Sequence, residues 1–344
     1  MDPVTHLLTG ACLSRAGLNR KTGLATLTLT LATEAPDIDV VAYIGGSVTG
    51  LQHHRGFTHS LLGIPLLAAC VLALVYGIHR WRSRSGGSPK IPPNWPLLFA
   101  YGCVGGVVHL FQDFTNNYGV RPFTPFGPKW YSWDVVFIID PLMLIALFAA
   151  LTLPALFSLV SEEVGAAKPQ FRGTGGARFA LLWLLLLIAA RDFEHRRAVN
   201  ALKSLTYNGE NPVRVSAFPN PINLFSWNGL VETQDFFELL PVNANAGEVD
   251  PHNLAVIRYK PAETPVTLAA KKSRLGRVYL DWAQYPFVQQ THLEGNKYLV
   301  TFMDLRFTSA EALRRRRASP LRGYVVLDSQ LRIEQQGTGA PQPD

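Results

Sequence analysis

The sequence predicts a mainly α membrane domain, a helical bundle of about four transmembrane helices plus short N-terminal helices. A soluble α+β domain with an antiparallel sheet follows it. Three observations carry this reading. The long apolar runs of the first half contain almost no charge, although 17% of the chain is charged. From about Asn200 they give way to short alternating runs separated by Pro, Asn and Gly. Seven His and Asp residues border the apolar runs, where ionisable groups are costly and point to function. The 344 residues suffice for two or three domains. The expected division is a helical transmembrane domain with a metal site over 1–198 and a soluble α+β domain over 199–344.

Asp2-Pro3 marks a helix start, with Asp as N-cap and Pro at the first helical position. That helix carries His6 and ends near Gly17. Gly23 to Thr33 alternates Thr and Leu with period two, a strand signal. A lone strand in lipid leaves its backbone unpaired, so a short buried helix is expected, delivering the chain to Pro36-Asp37-Ile38-Asp39. Phe57 to Ile78 has no charge and one His, and is long enough for a hydrocarbon core of ~30 Å. Trp95 to Phe111 is apolar apart from His109. Asp140 to Val160 is a third expected span, and Gly173 to Ala190, whose apolar run Phe179 to Ile188 is bracketed by Arg178 and Arg191, a shorter fourth. The N-terminus lacks a basic start and His6 interrupts its first apolar run. The first span is therefore expected to act as an uncleaved insertion signal.

Loop charge orients the spans. Arg80, Arg82, Arg84 and Lys90 place the loop after the first span in the cytoplasm. Arg121 and Lys129 against Asp113 and Asp134 leave the next loop outside, and the His/Asp cluster with it. Lys168, Arg172 and Arg178 return the chain to the cytoplasm, so the C-terminal domain is expected in the periplasm. Arg191, Arg196 and Arg197, directly after the fourth span, pull the other way. The expected location is the bacterial inner membrane, multi-pass.

Cys12, Cys70 and Cys103 lie in apolar surroundings without CxxC spacing, which argues against a zinc-thiolate site and a disulfide framework. The net charge of +7 falls largely in loops flanking the spans, where anionic headgroups account for it. No nucleic-acid partner is expected. In the C-terminal half, strands are expected at Val213–Phe218, Gly229–Thr233, Phe236–Val242, Val256–Tyr259, Tyr298–Phe302 and Tyr324–Leu327. A helix is expected at Pro265–Arg277. Arg314 to Arg317 reads as a solvated or headgroup-facing patch.

The chemistry gathers in four segments. His109 and Asp113, four residues apart, lie ~40° apart around a helix and share a face. His54 and His59 would diverge by ~140° on one helix. They converge only if His54 sits in the entering loop and His59 in the first turn. Gly56 eases that turn, and Thr58 is a candidate cap. Arg55 is placed to hold an anionic oxygen. Asp37 and Asp39 bring two carboxylates to one turn, although taken alone they read as an acidic helix N-cap. His6 taken alone reads as an interfacial histidine. Asp134 and Asp140 are further acid/base candidates, though Asp140-Pro141 also makes a good helix start. The loop from Arg121 to Asp134 is aromatic and Pro-rich, and reads mainly as an interfacial belt.

Together, His6, Asp37, Asp39, His54, His59, His109 and Asp113 form an expected ligand set for one or two divalent ions, zinc or manganese. Paired metals suit hydrolysis of phosphoesters or amides. His6-Leu-Leu-Thr-Gly10, Pro36-Asp37-Ile38-Asp39, His54-Arg55-Gly56-Phe57-Thr58-His59-Ser60 and His109-x-x-x-Asp113 resemble the YdjM-like membrane-bound metal-dependent hydrolases, a family with one member under the LexA repressor. The resemblance covers roughly Met1 to Ala150. It implies an inner-membrane protein whose hydrolase site is carried by those seven residues.

The expected function is a membrane-bound metal-dependent hydrolase acting on a phosphoester or lipid-like substrate. Asp37 relays a proton and Arg55 steadies developing charge. Membrane lipid and a small-molecule or lipid substrate are the expected partners. Two other classes fit the ligand set: a metal-binding transporter or sensor, and a scaffold with a structural metal whose C-terminal domain binds a protein. A metalloprotease does not, because no H-E-x-x-H occurs.

Overall fold

The structure, a computed structural model, describes residues 1–87, 89–163, 173–317 and 319–341. Ser88, Lys168 and Arg172, which belong to loops read above, lie outside them. The chain forms two compact units: Met1–Asp39 with Arg55–Arg191, and Val40–His54 with Asp192–Asp344.

In the first unit, α1 (Pro3–Arg15) begins as its cap predicts, with Asp2 Oδ1 accepting from Thr5 N at 3.0 Å. The Thr-Leu alternation forms a helix, α2 (Ala25–Glu34), that buries Thr28, Leu29, Ala32 and Thr33. Thr33 Oγ1 donates back to Leu29 O at 3.0 Å, so this hydroxyl can be buried without losing a partner. After α3 (Ser47–His53), which belongs to the second unit, come α4 (Gly63–Arg84) and α5 (Trp95–Thr115). Both are long and apolar enough to cross a membrane. Then follow α6 (Pro141–Glu163), apolar over Pro141–Phe157, and α7 (Thr174–Lys203). Of the four spans expected from sequence, α4 and α5 meet length and apolarity together.

The boundaries differ from expectation: α4 ends at Arg84 and not Ile78, α7 runs on to Lys203 past Ala190, and two further differences bear on the site. The helix expected from Phe57 begins at Gly63. Phe57–His59 is a 3-10 turn, Ser60 is extended, and Ser60 Oγ accepts from Gly63 N at 2.9 Å. At its other end α5 runs past Phe111 to Thr115, which keeps both His109 and Asp113 helical.

Small residues let the helices meet. A Cβ on Gly105 would stand 2.8 Å from Ala32 Cβ, and one on Gly106 2.9 Å from Ile64 Cγ2. Thus α5 offers bare backbone to α2 and to α4, a close approach that larger side chains would forbid. Asp140 then joins the last two helices. Its Oδ1 accepts from Leu142 N and Met143 N at 3.0 and 3.2 Å, and its Oδ2 faces Arg191 Nη2 at 2.8 Å. Both side chains are fully buried. Asp140 is therefore a cap and counter-ion, and Arg191 is consumed by it rather than left as a free flanking charge.

The second unit carries two antiparallel sheets. In the first, β1 (Arg214–Pro219), β2 (Ser226–Glu232), β3 (Phe236–Asn243) and β4 (Glu248–Val249) pair in order, and β5 (Val256–Tyr259) also pairs with β3. The helix expected at Pro265–Arg277 is two: α8 (Pro265–Lys272) and α9 (Arg274–Trp282). Extended Ser273 ends the first and caps the second through Gly276 N at 2.9 Å. The second sheet runs β6 (Pro286–Leu293), β7 (Lys297–Asp304), β8 (Gly323–Leu327), β9 (Ile333–Thr338), with α10 (Ala310–Arg314) inserted before β8. Strands β6 and β9 escaped the sequence reading because they are polar edges, with Gln289 to His292 and Glu334 exposed.

Trp227, Phe236 and Leu240 pack on Ala198 and Leu202 from the end of α7. The two sheets share a second core through Phe218, Leu230, Phe237, Tyr285 and Phe287. Helix α3 packs on α9 and β9. Arg314 to Arg317 is exposed, as expected for a solvated patch.

Breaking one half of a buried ion pair strands the other half. Arg191→Leu should cost about 3–5 kcal/mol in denaturant unfolding of the detergent-solubilised protein. Asp140→Asn with Arg191→Leu keeps the cap and removes both charges, so the double variant should unfold at higher denaturant than the single.

Candidate metal centre

Two turns of α5 supply the first pair. His109 and Asp113 stand on one face, their Nε2 and Oδ2 atoms 3.4 Å apart. The 3-10 turn before α4 adds His59, whose Nε2 lies 3.0 Å from His109 Nε2 and 3.3 Å from Asp113 Oδ2. The turn after α2 adds Asp37, with Oδ1 3.3 Å from His59 Nε2 and 3.6 Å from His109 Nε2. Among the described residues, Asp37, His59, His109 and Asp113 place one ligand atom each within 4.8 Å of all the others. Tetrahedral donors at the usual zinc bond lengths of ~2.0–2.2 Å stand ~3.3–3.6 Å from one another. The five separations given above, 3.0–3.6 Å, lie close to that range, so the donor set fits a cation.

The outer nitrogens explain why the inner ones converge. His109 Nδ1–H donates to Thr33 O at 2.7 Å, which turns the Nε2 lone pair inward. His59 Nδ1 faces Asp39 Oδ2 at 3.3 Å and Thr58 Oγ1 at 3.1 Å. Thr58, a candidate helix cap from sequence, sits here in the turn before the helix. Asp39 itself accepts from Arg55 N. The turn is made by Arg55 at φ 52°, a left-handed conformation uncommon for a side-chain-bearing residue, while Gly56 keeps a negative φ.

His6 lies next to this group. Its ring stacks on His109 with centroids 3.8 Å apart. Gln112 Nε2 donates to Thr9 Oγ1, so the Gln112 carbonyl oxygen accepts from His6 Nδ1 at 3.1 Å. His6 Nε2 then points at Asp113 Oδ1, 3.4 Å away, and has no hydrogen-bond partner. Burial drives this imidazole well below its ordinary pKa and keeps it in the neutral, ligating form. Asp113 Oδ2 is likewise buried without a hydrogen bond. The backbone nitrogen of Met1 abuts Asp113 as well. A fully buried carboxylate oxygen without a hydrogen bond, beside two inward imidazole nitrogens, is what a cation would satisfy.

Arg55 is buried and multiply held. It donates to Asp113 Oδ1 at 2.8 Å, to Gly119 O at 3.0 Å and to Asn116 Oδ1 at 3.2 Å, and its guanidinium lies over the Tyr118 ring. Burial pulls it down to about 10, which leaves it charged at neutral pH. For Asp37, burial pushes the carboxyl up. The hydrogen bond from His59 and the charges of His109 and His59 outweigh that, so it ends below its ordinary value. Asp37 is also the one member of the group that reaches the surface. Its side chain is 20% exposed, against 0% for the side chains of the other three.

The structure thus brings Asp37, His59, His109 and Asp113 together, with His6, Asp39 and Arg55 around them. It does not bring in His54, which follows α3 in the other compact unit with its ring edge toward Tyr43 at 6.4 Å. Sequence reasoning missed Gln112, Asn116 and the Thr33 carbonyl. The first two were signalled by a polar run, Gln112-Asp113-x-Thr115-Asn116, closing an apolar helix. The carbonyl had no signal, because backbone roles carry no residue type.

A Bacillus subtilis (strain 168) protein named "Uncharacterized protein YfhP" is 28% identical over 168 residues. That alignment covers 44% of this chain and 46% of the relative, so the chain spans about half the length of the curated relative it matches. No solved structure matches. The family model described as YdjM inner membrane protein matches residues 1–198, which holds every side chain of the centre, and the chain belongs to that family.

Proposed function

We propose that the chain is a membrane-bound metal-dependent hydrolase, with Asp37, His59, His109 and Asp113 holding a divalent cation such as zinc or manganese. The observation that carries this is a compact group of four donors, three of them buried, whose two imidazoles are fixed by neighbours. A cation bound there would supply Lewis-acid stabilisation of developing negative charge and lower the pKa of a nearby water.

The side chains divide the remaining work. Asp39 and Thr58 hold the His59 ring, and the Thr33 carbonyl holds the His109 ring, so neither imidazole has to reorganise during reaction. Arg55 fixes the Asp113 carboxylate and adds positive charge beside the site. Asp37, on the open side, accepts the proton of the attacking water and returns it to the leaving oxygen. His6 stacks on His109 and adds a further neutral nitrogen at Asp113. A phosphoester suits this charge pattern. In this reading α4 to α7 form the four-span bundle in the inner membrane, with the centre on the outer face and the sheet domain in the periplasm.

Protein purified without chelator should carry a divalent transition metal by elemental analysis, and His59→Ala should lose it. His252→Ala, a surface change in the sheet domain, should keep it. Equal metal in wild type and His59→Ala would remove the proposal. Asp39→Asn keeps the fold of the turn but weakens its grip on His59. Metal affinity measured by chelator competition should fall about 10–100-fold.

A further inference from the structure

An apolar groove runs between α2 and α4 beside the centre, with a cavity of about 400 Å³. That is within the ~300–1,000 Å³ typical of small-molecule sites. Leu31, Leu67, Val71 and Leu74 form its walls, and its two acids are Glu34 and Asp37. Asp37 thus belongs both to the groove and to the metal centre. Leu66 and Leu74 of α4 are more than half exposed, so this side of the helix faces away from the protein core. Glu34 Oε2 is buried and has no hydrogen-bond partner.

We propose that this groove takes the hydrocarbon chain of a bilayer amphiphile whose phosphate head meets the metal centre at Asp37. The inference deepens the hydrolase reading and rests on it, because it names the substrate as a lipid phosphate entering from the bilayer. The apolar walls give the chain the same environment as the membrane it leaves, so entry costs little transfer free energy. The acids stand where the chain must end, and an anionic head is drawn past them only if a cation waits at Asp37. Glu34 Oε2 is an unused acceptor for a head-group hydroxyl, and leaving it empty is costly in an apolar site. A water-soluble phosphoester has no use for such a groove. A membrane phosphate has use for all of it.

The test is photolabelling of the metal-loaded full chain in nanodiscs with dodecyl phosphate carrying a diazirine near the chain end. Labels should map to Leu31 and to 67–74, along the groove from the head at Asp37. They should fall at least tenfold in Cys70→Trp and in Leu74→Trp, which fill the groove without touching the centre, while elemental analysis shows wild-type metal. The same diazirine on dodecanol should label at least tenfold less. Labelling spread over all lipid-facing helices, or unchanged in both Trp variants that retain metal, overturns the proposal. Because this readout needs no turnover, the two readings fail separately. Groove labelling without hydrolysis of any phosphoester removes the hydrolase and leaves the lipid site. Hydrolysis that both Trp variants leave intact removes the lipid site and leaves the hydrolase.

Discussion

Asp113 sets the terms for the first unit. A carboxylate fully buried among apolar helices must be compensated, since an isolated ion there would cost several kcal/mol. Its compensation comes from Arg55, His6, His59 and His109, drawn from two other stretches and from its own helix. None of these contacts is local in sequence except the one to His109. The fold of the apolar bundle and the assembly of the centre are therefore one event. Gly105 and Gly106 matter for the same reason: they let α2 and α4 close on α5, which brings Thr33 and His59 within reach of His109.

The turn between α3 and α4 shows how much one short segment can do. Arg55 gives its backbone NH to Asp39 and its guanidinium to Asp113. Thr58 and His59 both face Asp39. Ser60 stops the turn and seats the first turn of α4. The density of paired polar groups explains why the chain tolerates a left-handed Arg55, a conformation that costs free energy unless its surroundings enforce it.

Much of this was legible in the sequence, and the parts that were not have physical causes. The i, i+4 spacing of His109 and Asp113 and the HRGxTHS stretch pointed to residues that do meet. Asp39 was grouped with Asp37 by proximity, yet Asp37 faces the inner nitrogen of His59 and Asp39 the outer one. His54 was joined to His59 by nearness in sequence, but the converging group contains His59 without it. The start of α4 was misjudged because apolar composition cannot show that Ser60 caps a later turn. Strands β6 and β9 lacked the alternation that burial imposes, since both lie at the edge of their sheet. The Thr-Leu repeat became a helix, which pairs its own backbone where a lone strand in an apolar bundle would not.

The central claim is that two imidazoles and two carboxylates surround a single cation at the end of α5. X-ray absorption at the metal edge of the purified membrane protein tests it most directly. The account predicts a first shell of nitrogen and oxygen at about 2.0–2.2 Å, with outer-shell scattering from two imidazole rings. A spectrum with no imidazole signature, or one that wild type and His109→Ala share, would contradict it.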